Sequence, residues 1–192
     1  MPNLYIIAGC NGAGKTTASF TILPKMLDCR EFVNADEIAR GISPFQPEKV
    51  AIKAGKVMLT RIEELLAEET DFAIETTLTT TTYKKTIRRA QDSGYEVTLL
   101  FFWLNSEKLA IDRVKQRVKE GGHNIPEETI RRRYHRGIKN LLDIFSDICD
   151  NYMIIDNSNE KSVYIAEKMD GNTIIHSPEL LKFLKQQADE KG

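Results

Sequence analysis

The residues Gly9-Cys10-Asn11-Gly12-Ala13-Gly14-Lys15-Thr16 fit the pattern GxxxxGK[ST] and stand between an apolar run and a helical pattern. That is the context a phosphate-binding loop requires. Its glycines let successive backbone N–H groups curl around phosphate oxygens, and a helix starting near Lys15 adds its positive dipole end. In that chemistry Lys15 reaches the β- and γ-phosphates, Thr16 ligates Mg²⁺ and Thr17 adds a hydroxyl on the α-phosphate side of the nucleotide. Gly9, Asn11, Gly12, Ala13 and Gly14 make up the cradle. Motors, GTPases, ABC-type ATPases and small kinases all share such a loop. The guanine-reading NKxD element of GTPases is missing, its one candidate being Asp156-Asn157-Ser158-Asn159. An ABC-type ATPase needs more chain and four apolar residues ending in Asp-Glu. A compact phosphate-loop kinase, with ATP and Mg²⁺, fits best.

These residues need a scaffold, and the chain alternates strand and helix patterns. Runs at 4–8, 31–34, 71–75, 97–104 and 152–155 read as buried strands, and helical patterns occupy 15–27, 47–68, 83–93, 107–120 and 126–145. That alternation predicts an α/β fold, a mainly parallel sheet covered on both faces. After 155 the pattern changes: 163–168 and 173–176 flank Asp170-Gly171, which suits a tight hairpin turn, and a terminal helix follows over 178–187. The expectation is a P-loop kinase-like three-layer fold with a five-stranded parallel sheet in the order 2-3-1-4-5. One domain spans 1–192, with a helical lid at about 107–140 and a C-terminal hairpin plus helix at about 161–192.

In such a sheet ligands bind beyond the carboxyl ends of the strands. Asp36 follows the second strand and Glu75 ends the third. In that order Glu75 lies near the phosphate loop, while Asp36 is one strand further out, where a phosphoryl acceptor sits. Asp36 then orients and deprotonates the attacking hydroxyl. The competing reading makes Asp36 a helix N-cap, because Ala35-Asp36-Glu37-Ile38-Ala39 also reads as a helix start. Glu75 has a competing reading too, as a strand-end carboxylate capping the amides of Thr76 or Thr77. The run from Thr76 and Thr77 to Thr82 brings six hydroxyls to the same edge and suits a polyhydroxylated substrate such as a sugar.

Between the fourth and fifth strands come Arg113, Arg117, Gly121-Gly122-His123, then Arg131-Arg132-Arg133 and Arg136. Arg113 and Arg117, four apart, share a helix face, and the Gly-Gly pair reads as a hinge. Small kinases close an arginine-bearing lid here, because the transferring phosphoryl group carries charge on three oxygens. Arg117, Arg132 and Arg133 are the candidate catalytic cations, and His123 is weighed as a phosphate contact. The competing reading is a salt-bridged surface helix with Glu120, Glu127 and Glu128 as partners.

Composition sets the outer bounds. Of 192 residues 41% are hydrophobic and 29% charged, and 27 Lys plus Arg against 28 Asp plus Glu leave a net charge of -1. That balance provides no global field for nucleic acid and argues against a dedicated DNA-binding protein. The longest strongly apolar run, 97–104, is far short of the roughly twenty residues of a membrane span, and the N-terminus does not read as a signal peptide. A cytoplasmic location is expected. Cys10, Cys29 and Cys149 are odd in number and widely spaced, which argues for reduced thiols and against a disulfide framework or a structural zinc site.

Taken together, Gly9 to Thr17, Asn34-Ala35-Asp36, Ile74-Glu75-Thr76-Thr77-Leu78, and Arg117-Val118-Lys119-Glu120-Gly121-Gly122-His123 followed by Arg131-Arg132-Arg133-Tyr134 resemble the zeta toxin family of P-loop kinases, in a subgroup of chromosomal zeta-like proteins. The likeness covers about residues 3–160. It implies ATP- and Mg²⁺-dependent phosphorylation of an amino-sugar hydroxyl of UDP-N-acetylglucosamine, with Asp36 as base. It also implies that Glu75, Thr76 and Thr77 hold the sugar nucleotide and that lid arginines contact the γ-phosphate. An antitoxin-like protein partner belongs to the same implication, although neither toxicity nor that partner follows from the residues of one chain. Two departures bear on the acceptor: the chain is short beside plasmid-borne toxins, and threonines follow the third strand where the family often has Gly-Thr and Arg. The alternatives are an ATP-binding regulatory module or slow ATPase without a small-molecule acceptor, and a kinase acting on nucleic-acid ends or another sugar nucleotide.

Overall fold

Strands buried on both faces are nearly continuous apolar runs, and this shows in β1 (Asn3–Gly9) and β4 (Glu96–Trp103), whose residues are almost all buried. With β2 (Glu31–Val33), β3 (Phe72–Thr76) and β5 (Asn151–Asp156) they form the parallel centre of the sheet. The computed structural model describes residues 1–122 and 124–189. Among these, one seven-stranded sheet runs β2-β3-β1-β4-β5-β6-β7, so the expected 2-3-1-4-5 core is present. The hairpin of β6 (Val163–Met169) and β7 (Asn172–Ile175) extends it antiparallel from β5. Its two-residue turn has positive φ at both Asp170 (51°) and Gly171 (77°), as a turn matched to the strand twist requires.

The helices between the parallel strands are α1 (Lys15–Met26), α2 (Ala35–Ile42), α3 (Ala51–Ala67) with a 3-10 turn at Pro47–Val50 before it, α4 (Tyr83–Asp92), α5 (Glu107–Lys119) and α6 (Glu127–Asn140). Three differences from the sequence reading matter. Asn34 is not the last residue of β2 but the N-cap of α2. The helix expected over 126–145 is regular only to Asn140, then winds as a π-helix (Leu141–Phe145) and ends in the short α7 (Ser146–Ile148). The strand expected to reach Leu104 ends at Trp103.

The terminal helix, α8 (Pro178–Asp189), docks through a buried amide. Gln187 Oε1 accepts from Trp103 Nε1 at 3.0 Å and lies 2.8 Å from the Tyr134 hydroxyl, while Gln187 Nε2 donates to the Asn105 carbonyl at 2.9 Å. One side chain thus joins α8 to the end of β4, to the connection into α5 and to α6. Buried Trp and Tyr side chains need partners for their polar tips: Gln187 satisfies Trp103, and the Tyr134 hydroxyl stands between the Gln187 amide oxygen and the Leu104 carbonyl, 2.6 Å away.

Candidate active site

The phosphate loop is held tightly against its neighbours. Gly9 pairs with Phe102 across β1 and β4, and a Cβ there would stand 2.2 Å from the Phe102 carbonyl oxygen, so only glycine fits. Gly14 is the N-cap of α1 with φ 84°. From the far end of β5, Asn157 Nδ2 donates to the Ala13 carbonyl at 2.8 Å and braces the loop. Cys10 is buried, and burial pushes its thiol up to about 11, so this side chain packs as an apolar group. The Lys15 ammonium, itself buried, donates to the Cys10 carbonyl at 3.0 Å and lies 3.6 Å from Glu75 Oε1.

Because β3 lies beside β1, with Ile7 opposite Glu75, the Glu75 carboxylate stands at the loop. Its Oε2 accepts from Thr16 Oγ1 at 2.7 Å and from Asn34 Nδ2 at 2.9 Å. Glu75 is therefore drawn toward the phosphate loop, and the hydroxyl of Thr76 meets a backbone amide, accepting from Leu78 N at 3.0 Å. Leu78 adopts φ 58°, a costly conformation for a branched residue. Its fully buried side chain and the 2.7 Å hydrogen bond from Asn140 Nδ2 to its carbonyl hold it there. This loop presents Thr76 and Thr77 to the cleft, while Thr80, Thr81 and Thr82 are exposed outside it.

On the next strand outward, Asn34 Oδ1 accepts from Asp36 N at 2.8 Å and Glu37 N at 3.4 Å. The cap of α2 is thus Asn34, and the carboxylate of Asp36, one position inside the helix, lines the cleft. The Asp36 charge acts on Arg133: burial pulls that guanidinium below its ordinary value, the Asp36 carboxylate opposes the shift, and Arg132 adds to it.

Helices α5 and α6 form the opposite wall. From α5, Arg113 donates to the Ser158 carbonyl at 2.8 Å and to the Gly12 carbonyl at 3.4 Å, and Arg117 follows one turn later. Arg117 Nε and Nη2 are buried with no hydrogen-bond partner among the described residues. Helix α5 stops directly after it. Gly121 has φ 91° and donates to the Val118 carbonyl, and Gly122 N donates to the Arg117 carbonyl at 2.9 Å, the paired bonds of a glycine helix stop. From α6, Arg133 donates to Asn11 Oδ1 at 3.1 Å. Glu107 binds Arg131 and lies 3.0 Å from His135 Nε2, and Lys115 pairs with Glu127 at 2.6 Å, which ties α5 to α6.

The result is a cleft of about 520 Å³ at the carboxyl end of the sheet. It is lined from the loop by Asn11, Gly12, Gly14, Lys15, Thr16 and Thr17, from β3 by Glu75, Thr76 and Thr77, from α2 by Asp36, and from the lid by Arg117 and Arg133. Gly9 and Ala13 sit behind this lining as buried supports, and Arg132 is exposed and does not line the cleft. His123 lies outside the described residues. Arg113, read with Arg117 as part of the arginine cluster, also lines the cleft; sequence reasoning gave no site role to Asn34, Arg40 and Tyr83, which line it too, or to Asn157, which braces it. Asn34 and Asn157 had a signal, being the first polar residues past β2 and β5.

A phosphate loop after the central strand, with carboxylates at the carboxyl ends of the neighbouring strands of a 2-3-1-4-5 sheet, defines the phosphate-loop kinase class. Within that class the chain belongs to the zeta toxin family, whose profile matches residues 1–169. An uncharacterized protein of Haemophilus influenzae (strain ATCC 51907 / DSM 11121 / KW20 / Rd) is 31% identical over 128 residues, 66% of this chain and 88% of that one. Among solved structures, the PezAT chromosomal toxin–antitoxin system of Streptococcus pneumoniae matches with a TM-score of 0.72 at 18% identity, covering 100% of this chain and 80% of that one. The AvrRxo1-ORF1:AvrRxo1-ORF2 complex with ATP matches with a TM-score of 0.78 at 17% identity, over 100% of this chain and 66% of that one. The same complex with sulphate ions gives 0.79 at 17% identity, and this chain spans 65% of its matched chain. Among the described residues no helix is long and apolar enough to cross a membrane.

Proposed function

We propose that the protein transfers the γ-phosphoryl group of ATP to a hydroxyl of a sugar nucleotide of the UDP-N-acetylglucosamine type. The observation that carries this reading is that Arg117 and Asp36 stand on two walls of one cleft. On one wall a guanidinium has buried donors without partners among the described residues; on another, a carboxylate relieved of capping lines the same cleft. Buried donors left unpaired are costly unless a ligand satisfies them, and a phosphoryl group in transfer is an anion that would. A module that merely bound ATP would need neither an acceptor-side carboxylate nor cations for developing charge.

Each side chain has a task in this scheme. The loop amides and Lys15 hold the β- and γ-phosphates, with Glu75 and the Cys10 carbonyl fixing the ammonium in place. Asp36 accepts the proton of the attacking hydroxyl, and the Thr76 and Thr77 hydroxyls orient the sugar. Arg117 and Arg133 meet the charge that spreads over the transferred group. Thr16 fits a magnesium ion, since its hydroxyl donates to Glu75 and keeps oxygen lone pairs free; the ion would supply neutralisation of the β- and γ-oxygens.

The decisive experiment measures ADP release from Mg·ATP with and without a panel of sugar nucleotides, followed by mass analysis of the acceptor. UDP-N-acetylglucosamine is expected to accelerate release at least about a hundredfold, the scale of a positioned base, and to gain one phosphoryl group. Slow hydrolysis that no sugar nucleotide accelerates would sink this reading in favour of a regulatory module.

A further inference from the structure

We propose that Asn34 is a positioning residue for phosphoryl transfer, its amide locking the helix start that carries Asp36 to the carboxylate that braces the phosphate loop. The inference rests on the transfer reading above. Asn34 is 5% exposed and uses both ends of its side chain. The carbonyl oxygen accepts from the backbone of Asp36 and Glu37, at 2.8 and 3.4 Å. The amide nitrogen donates at 2.9 Å to Glu75 Oε2, the same oxygen that takes the Thr16 hydroxyl at 2.7 Å. The pairing of β2 with β3, Val33 opposite Ile74, makes residues 34 and 75 neighbours just past the last paired rung. One side chain thereby connects α2, β3 and the start of α1, the elements that hold base, carboxylate and metal-ligand hydroxyl.

The chemistry at this position demands an amide. Ser, Thr, Asp and Asn all cap helices well, so capping by itself does not select among them. A serine is too short to keep the bond to Glu75. An aspartate would set a second carboxylate against it, with only the Lys15 ammonium, 3.6 Å from Glu75 Oε1, to offset the repulsion. Asn alone among the good caps carries its acceptor and its donor on two separate atoms, one for the helix and one for the carboxylate. Phosphoryl transfer is mostly positioning, and a displacement on the order of 1 Å costs about a hundredfold in rate. The Asn34 to Glu75 bond sets the distance between the acceptor side and the phosphate side of the site.

The test compares Asn34→Ser, Asn34→Asp and Asn34→Ala with the parent, measuring melting temperature, affinity for a fluorescent ATP analogue with Mg²⁺, and the rate of ADP release with and without UDP-N-acetylglucosamine. The Ser and Asp variants keep the cap, so they are expected to melt within a few degrees of the parent and bind nucleotide within about threefold, while kcat falls about ten- to a hundredfold. The Ala variant is expected to lose both melting temperature and kcat. Ser and Asp variants that turn over like the parent would reduce Asn34 to a helix cap and overturn the proposal; if the Asp variant fails to fold, the Ser variant decides alone. A parent whose ADP release ignores the sugar nucleotide refutes the acceptor assignment only, because water attacks the same phosphorus and the ratio of variant to parent still reads the Asn34 link. A parent that releases no ADP in either condition overturns both.

Discussion

Replacing Arg117 with alanine separates an arginine kept for catalysis from one kept for the fold, because the two roles predict opposite effects on stability. Its Nε and Nη2 are buried without partners among the described residues, and each such donor costs about 1–3 kcal/mol. Deleting both returns about 2 kcal/mol or more. Against that stands the loss of two stem methylenes, about 0.8 kcal/mol each when buried. The two effects nearly cancel, so Arg117→Ala is expected to melt within about 3 °C of the parent, given some 2–4 °C per kcal/mol for a chain of this size. Turnover should behave differently. A cation that engages as charge spreads contributes about 10³-fold in kcat or more, some 4 kcal/mol of barrier, with little effect on ground-state nucleotide affinity. The assay is single-turnover transfer from Mg·ATP beside titration of a fluorescent ATP analogue and a thermal melt. Arg117→Lys should recover only a small part of the rate, since an ammonium lacks the planar fork of donors. An alanine variant that melts many degrees lower yet turns over normally would refute the reasoning and make Arg117 a structural residue of the lid.

Lys15→Ala should abolish turnover and weaken Mg·ATP binding, which titration of the nucleotide analogue reads directly. Asp36→Asn should retain nucleotide binding and, because Asn34 is the cap, the parent's melting temperature, while turnover falls roughly 10² to 10⁴-fold; a large loss of stability with normal turnover would argue against it as base. Gln187→Ala removes the partner of Trp103 Nε1 and should lower the melting temperature by several degrees, the cost of stranded buried donors being about 1–3 kcal/mol each. Burial raises Cys10 and Cys29 to about 11 and Cys149 to about 12, against an ordinary value of 9.0. The unfolded chain therefore loses these protons first, and their contribution is complete below pH 9 and fades as pH rises toward 11 and 12. Chemical denaturation across that range should show stability falling, and a thiol reagent at pH 8 should find all three thiols inert until the chain unfolds.

The phosphate loop was legible in the sequence because its chemistry is local. Eight consecutive residues supply the glycines, the ammonium and the hydroxyl, and the strand before and helix after follow from their own periodicity. The strands were legible as well, since buried parallel strands are apolar throughout and the hairpin announces itself at Asp170-Gly171, while their order came from the likeness to small kinases. The meaning of Asp36 was not, because residues 34 and 36 are both good caps by type. Only the backbone after β2 makes Asn34 the cap and turns the carboxylate of Asp36 into the cleft. The lid arginines divide for a similar reason. Arg132 and Arg133 are adjacent in the chain but about 100° apart around a helix, and the burial of Ile130, Tyr134 and Ile138 against the core aims Arg133 at Asn11 while Arg132 faces outward. Composition and spacing determined which chemistries were available to this protein. The packing of β3 beside β1 and of α6 over the phosphate loop decided which residues meet, because those contacts join positions 59 and 122 residues apart, and no local pattern carries that information.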